Sequence, residues 1–383
     1  MPIGVKKILL EKIRLRYLKS SKHQKTLILD EFCATTGLTR KHAIRLLNNE
    51  IKAPKAHPGP KYLYGPEVRA HVVKIWEAMG QICSKNMKAA LPLWLEFYDC
   101  SQESKYLLYK ISRSTIDRIL QEHRNHLRKG KSSTVVSMLK NKIPIKLLDH
   151  KITEPGFVEA DTVAHCGSSL AGEFVNTLTV TDVWSSWTEN RAVWSKKGKN
   201  VLNAISDIER CLPFSIKGFS SDNGNEFLNN DLYTFFQGRS PKKVAFVRGR
   251  PYKKNDNCFV EQKNWTHVRQ LLGYDRLDEF WDVDYINDMY KNYWNPLKNF
   301  FIPTLKLESK TRHGGKLIKT YGEPKTPYQR IVESESVSND DKKLLEEKFK
   351  SLNPFKLRNE LNHKLKWFFR IVEIRKKQSS RSA

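Results

Sequence analysis

The chain has 383 residues, with 68 Lys and Arg against 41 Asp and Glu and a formal charge of +27. With 39% hydrophobic and 11% aromatic residues it can build real cores, which excludes wholesale disorder. No run approaches the roughly 18 apolar residues of a membrane span, and with a mean hydropathy of −0.59 we expect a cytoplasmic, nucleoid-associated protein without a membrane partner.

Length alone predicts two to four domains. The N-terminal stretch MPIGVKKILLEKIRLRYLK is basic and periodic, without the continuous apolar core of a signal peptide. Cys33, Cys83, Cys100, Cys166, Cys211 and Cys258 are too scattered for a disulfide scaffold or a zinc knuckle. His123 and His126 begin a zinc-like spacing that no C-x-x-C completes.

Charge is concentrated at the front. Residues 1–150 hold 29 Lys and Arg against 12 Asp and Glu, the footprint of a polyanion binder. Within KTLILDEFCATTGLTRKHAIRLLNNE (25–50), Leu27, Ile28, Phe32 and Cys33 or Ala34 predict the buried face of one helix. Thr36-Gly37 supplies a turn, Thr39 reads as an N-cap, and Ala43, Ile44 and Leu47 predict the inner face of a second helix. Arg40, Lys41, His42 and Arg45 then face outward, as a recognition helix requires for phosphates and base edges.

A second helical unit is predicted next. Pro66 opens a helix through about Met79, and Lys85–Tyr98 predicts another with Pro92 as a kink. In ISRSTIDRILQEHR (111–124), Ser114 and Asp117 resemble a capping box, with Ile116, Ile119 and Leu120 inward. Arg113 and Arg118 are its candidate DNA contacts, beside Arg124. Pro-, Gly- and Lys-rich residues 51–67 and the basic stretch 126–146 read as linkers.

From about residue 152 the helical period gives way to strands. GFVEADTVAH (156–165), EFVNTLTVTDVWSSW (173–187) and TENRAVWS (188–195) predict three strands, followed by a helix over 200–212. IKGFSSDNG (216–224), a helix from Asn225 to Gln237, a strand in KKVAFVRG (242–249) and a helix from Cys258 to Leu272 complete a βββαβαβα order. That order predicts a mixed sheet covered by helices. Asp161 lies inside the first strand, where a carboxylate is costly unless paired or metal-bound. Asp222 ends a strand just before Asn223-Gly224, and Glu261 lies one turn into a helix. Two aspartates from neighbouring strands and a glutamate from a helix suit a half-open magnesium site completed by water and substrate phosphate. Glu159, Asp182, Glu226 and Asp256 are the rival carboxylates.

The segments VEADTVAHCG, SSDNGNEF and RPYKKNDNCFVEQKNW resemble the three catalytic blocks of DDE transposases and retroviral-type integrases, which share the ribonuclease H fold. More narrowly, they resemble the integrase-core transposases of bacterial insertion sequences. The blocks stand in the family's order, with 60 residues between Asp161 and Asp222 and 38 between Asp222 and Glu261. The resemblance covers about 155–300 and extends into NYWNPLKNFFIPTLKLESKTR, but helix-turn-helix units replace the zinc domain of retroviral integrases. It implies that Asp161, Asp222 and Glu261 hold two Mg²⁺ ions, or Mn²⁺ in their place, once DNA is bound. It also implies cleavage at element ends, strand transfer into target DNA and a homo-oligomer on DNA. Arg248, Arg250, Lys253, Lys254, Lys263 and Arg269 are the cations expected to hold phosphates around Glu261. His165 either lines that site or is a strand-end histidine bonded to backbone.

Trp184, Trp187, Trp194 and Trp265 are expected in the core. The organisation predicted is multidomain: a helix-turn-helix unit over 1–55, a second helical DNA-binding unit over 62–125 and a basic linker over 126–151. An α/β ribonuclease H-like mixed-sheet core follows over 152–300, then a small, mostly helical C-terminal region over 301–383. Two other functions fit the same chain, a catalytically silent DNA-binding regulator and a ribonuclease H-like nuclease that only hydrolyses.

Overall fold

A computed structural model describes residues 3–49, 63–124, 152–222, 224, 226–227, 229–239, 243–248, 257–313 and 316–379. The chain divides into two compact units, Met1–Leu63 and Tyr64–Ala383.

The first unit holds three helices: α1 (Ile3–Lys19), α2 (Lys22–Thr36) and α3 (Arg40–Asn48). Ser21 caps α2 through its hydroxyl, and Gly37 ends it at φ 71°, its N–H bonded to the Cys33 carbonyl at 2.9 Å. Thr39 has the extended backbone of an N-cap, but its side chain makes no capping bond. Tyr17, Ile28, Leu29, Phe32, Ala43 and Leu47 form the core. Leu27 and Ile44, expected inside, are exposed. The helix phase puts Leu29 inward instead of Leu27, and only Ala43 and Leu47, one turn apart, face in from α3.

The second unit begins with α4 (Pro66–Ala78), α5 (Ser84–Leu95), α6 (Gln102–Lys110) and α7 (Arg113–Arg124). Pro92 lies inside α5 without ending it. The start of α7 differs from the predicted capping box: Ser112 accepts the Thr115 N–H, while Asp117 accepts from Ser84 and Arg124. These four helices share one core with the C-terminal helices. Buried Trp94, for example, donates its indole N–H to the Phe301 carbonyl at 3.0 Å.

Next come β1 (Phe157–Ala164), β2 (Val175–Asp182), β3 (Thr188–Trp194), α8 (Gly198–Cys211), β4 (Gly218–Ser221), α9 (Asn230–Gln237) and β5 (Ala245–Arg248). The predicted helix from Asn225 starts later, because Asn229 caps it by accepting the Leu232 N–H. The sheet order is β3-β2-β1-β4-β5, antiparallel from β1 to β3 and parallel from β1 to β5. One face packs Val158, Ala160, Leu178 and Phe219 against α8 and α9.

The helix over 258–272 is interrupted. It runs as α10 (Cys258–Lys263), a π-helical turn (Asn264–Arg269) and α11 (Gln270–Leu272). Then α12 (Phe280–Met289), a second π-helical turn (Tyr290–Trp294) and α13 (Asn295–Phe301) run along β3. Their asparagines occupy the outward backbone groups of that edge strand. Asn287 brackets Ala192, accepting its N–H at 2.8 Å and donating to its carbonyl at 2.9 Å. Asn299 does the same at Thr188, and Asn295 donates to the Asn190 carbonyl.

The C-terminal region, expected to be mostly helical, also contains a hairpin, β6 (Leu307–His313) and β7 (Lys316–Tyr321). Helices α14 (Pro327–Glu333), α15 (Asn339–Ser351) and α16 (Pro354–Ser379) follow. No described helix is long and apolar enough to cross a membrane.

Candidate active site

Alternation along β1 sends Val158 and Ala160 into the core, and so sends Glu159 and Asp161 to the opposite face. The parallel register sets Ala160 beside Ser221, so the residues that follow, Asp161 and Asp222, leave adjacent strands side by side. Asp161 accepts from the Thr162 N–H at 2.7 Å and from the Asn264 side-chain amide at 2.6 Å. Burial, reinforced by the charge of Asp222, pushes Asp161 up to about 7. Asp222 is also raised, again chiefly by burial, although the Gly224 N–H donates to it at 3.0 Å.

At Gly224 the backbone passes close to two carboxylates. A Cβ at that position would stand 2.5 Å from a Glu226 carboxylate oxygen and 3.0 Å from an Asp222 oxygen. Glu226 accepts from the Thr162 hydroxyl at 2.9 Å and from the Lys196 ammonium at 3.0 Å. Burial works to raise it, but Lys196 and these bonds hold it below the usual glutamate range.

The helix that faces the aspartates is held by Glu159, whose carboxylate accepts the Phe259 and Val260 N–H groups at 3.0 and 3.1 Å. This rival carboxylate thus satisfies the first amides of α10. Asp182, another rival, is buried and accepts from Gly156 and twice from Ser185, which fixes the β2–β3 turn. Glu261 is exposed on α10 and sits one turn before Asn264, on the side of the helix that meets Asp161. Asp256 lies outside the described residues. Lys196 carries no sequence signal, being one of three lysines in SKKGK that only the topology brings to Glu226.

A hard divalent cation takes a few carboxylate oxygens and completes its shell with water and substrate phosphate. Asp161 and Asp222 offer such oxygens from adjacent strands, and their mutual repulsion is what a dication relieves; Glu261 can join from α10. The donor set fits such an ion. Among the described residues no group of three or more His, Cys, Asp and Glu side chains stands gathered as a metal site, so water and substrate would have to supply the remaining ligands.

No family model matches the chain. It is 35% identical to the uncharacterized protein y4rM of Sinorhizobium fredii (strain NBRC 101917 / NGR234) over 334 residues, spanning 84% of this chain and 93% of that protein. The chain belongs to the family of y4rM.

The cations expected to contact DNA fall into three groups. Arg40, Lys41 and Arg45 are exposed on α3, where Arg40 pairs with Asp30. Arg113 and Arg118 are exposed on α7, Arg118 donating to the Thr115 hydroxyl at 3.1 Å. Arg248 ends β5, its side chain outside the described residues, as are Arg250, Lys253 and Lys254 entirely.

Lys263 is buried and Arg269 half-buried. Lys263 is 6% exposed and points away from Glu261, because two residues of helix turn it to the opposite side. Burial, with Arg330 facing it, lowers Lys263 to about 8. Arg269 donates to the carbonyls of Ala164 and Gly273 and stacks on Tyr274, clamping the end of β1 to α11.

His165 is fully buried and bonds the Thr177 hydroxyl rather than backbone, and burial lowers it to about 3. Trp187 is buried as expected. Trp265 is instead 50% exposed, on a helix whose inner positions are taken by Val260 and Val268.

Proposed function

We propose that this protein is a DDE-type transposase or integrase that binds the DNA ends of its element and catalyses metal-dependent cleavage and strand transfer into target DNA. The observation that carries this reading is the placement of Asp161 and Asp222 side by side on adjacent parallel strands, under a helix that bears Glu261 and is bonded to Asp161 through Asn264. The strand order 3-2-1-4-5, with only the first three strands antiparallel, supports a ribonuclease H-like core. The basic front end and the exposed cations of α3 support DNA as the partner. Action on two ends and a target favours a homo-oligomer on DNA, in the cytoplasm at the nucleoid.

In this reading Asp161, Asp222 and Glu261 hold magnesium. When bound, the ions supply activation of the attacking water or DNA 3′-hydroxyl and neutralise charge on the leaving oxygen. The chain's own groups do the rest. Asn264 fixes the rotamer of Asp161, and Glu159 anchors the helix that presents Glu261.

The test is incubation of the full chain with labelled duplex bearing the element's own ends, with Mg²⁺ or with chelator. Strand-transfer products are expected only with the metal. Glu261→Gln should abolish them, because the amide keeps the shape but loses the ligand charge, whereas Asp256→Asn should retain them. Products that persist in Asp161→Asn or Asp222→Asn would overturn the proposal.

A further inference from the structure

A further carboxylate, Glu226, stands beside the Asp161–Asp222 pair and carries a cation of its own. Lys196 follows β3 and reaches Glu226 at 3.0 Å, and the same Glu226 oxygen accepts the Thr162 hydroxyl from the strand that carries Asp161. The Glu226 side chain is 11% exposed, while that of Lys196 is 41% exposed, so the ammonium reaches the group from its solvent side. Glu226 holds the ammonium directly, whereas at Asp161 and Asp222 burial dominates and the charge of Lys196 is a lesser, opposing influence. The next residue, Lys197, shares none of this and pairs with Glu173 at 2.8 Å on the surface.

We propose that Lys196 is the resident counter-ion of the Asp161–Asp222–Glu226 group, and that a divalent cation must take its place. Two cations cannot share these oxygens at full charge, since each repels the other in a partly desolvated site. The ammonium therefore stabilises the metal-free protein and weakens its metal affinity by the same interaction. Displaced, it is left on the solvent side of the site, where a DNA phosphate can accept it. Metal uptake and DNA binding would then favour each other through one side chain. The inference rests on the proposed function, which is what calls for a divalent cation at these carboxylates.

The experiment is calorimetric titration of the full chain with Mn²⁺ in the absence of DNA, beside thermal unfolding with and without the metal. Lys196→Met should bind Mn²⁺ about tenfold or more tightly than wild type. Its melting temperature should be lowered without metal and recovered with it. Lys196→Arg, which keeps the charge, should behave as wild type. Lys197→Met controls for the loss of one positive charge nearby and should change affinity far less.

Equal tightening in the Met variants at 196 and 197, or no tightening in either, would overturn the counter-ion role. If Lys196→Met does not fold, Lys196→Gln carries the same comparison. Adding Asp161→Asn to Lys196→Met should remove the gained affinity; if it does not, the metal lies elsewhere and the proposed active site fails. Wild-type strand transfer with unchanged Mn²⁺ affinity in Lys196→Met would instead sink the counter-ion alone.

Discussion

Asp161 ties stability to pH. In an unfolded chain an aspartate titrates near 3.9, but here burial beside Asp222 raises it to about 7. Between those values the folded protein holds a proton that the unfolded chain has lost. Stability therefore falls as pH rises through this window, and the loss is complete above it. Glu226 shifts the other way and acts at lower pH, where acid protonates it and removes its bond to Lys196. Urea unfolding of metal-free protein should show wild type losing stability from pH 5 to 8. Asp161→Asn should have the flatter profile and be the more stable at pH 8, by on the order of 2 kcal/mol. Equal slopes would show that Asp161 is not the group responsible. Lys263 makes a second case. Buried, and lowered to about 8, it binds fewer protons folded than unfolded between that value and its ordinary one, so its cost is present at neutral pH and relieved as pH rises. Lys263→Met should therefore stabilise the protein by about 1–3 kcal/mol at pH 7 and leave DNA affinity unchanged. A loss of affinity measured by fluorescence anisotropy would return Lys263 to the DNA surface.

At the scale of the element, α10 depends on one carboxylate from outside it. Glu159→Ala leaves the Phe259 and Val260 amides without that acceptor, at a cost of about 1–3 kcal/mol. Glu159→Gln keeps an acceptor and should cost less. Hydrogen exchange at those two amides should speed markedly in the Ala variant; unchanged exchange would mean that α10 is held by other contacts. The strands were readable because β-branched runs alternate with turn residues, and that placed Asp161 and Asp222 on their elements. The helix over 258–272 was readable as one span, but not its π-helical turn. Extra width there follows from tertiary contacts such as the Trp294 indole N–H bonded to the His267 carbonyl at 2.9 Å. The hairpin in LESKTRH and KLIKTY is rich in lysine and threonine with little apolar alternation, so nothing local separates it from loop or helix. Glu159 was visible as a carboxylate, yet its partners lie 100 and 101 residues away.

At the scale of the molecule, the charge count singled out a basic front end but not where the chain divides. The helices over 66–124 carry basic residues like those of the first unit, yet Trp94, Leu91 and Leu120 belong to a core that includes Phe301 and Leu361. A fragment ending near residue 150 would tear that core, so recognition is best tested in the full chain. Lys41→Ala and Arg45→Ala should each weaken binding to terminal DNA and lower the slope of log affinity against log salt by about one for every phosphate no longer neutralised. Affinity unchanged in both variants would remove α3 as a DNA-reading helix. The asparagines set along β3 have a different bearing on assembly. By occupying the outward N–H and C=O of Thr188 and Ala192 and the carbonyl of Asn190 they seal the sheet at β3. Two copies of this chain therefore cannot be joined by continuing the sheet past β3. Asn299→Ala would unseal it, and the outcome to look for is light scattering that grows with concentration: a protein made sticky by the loss of one amide far from its chemistry.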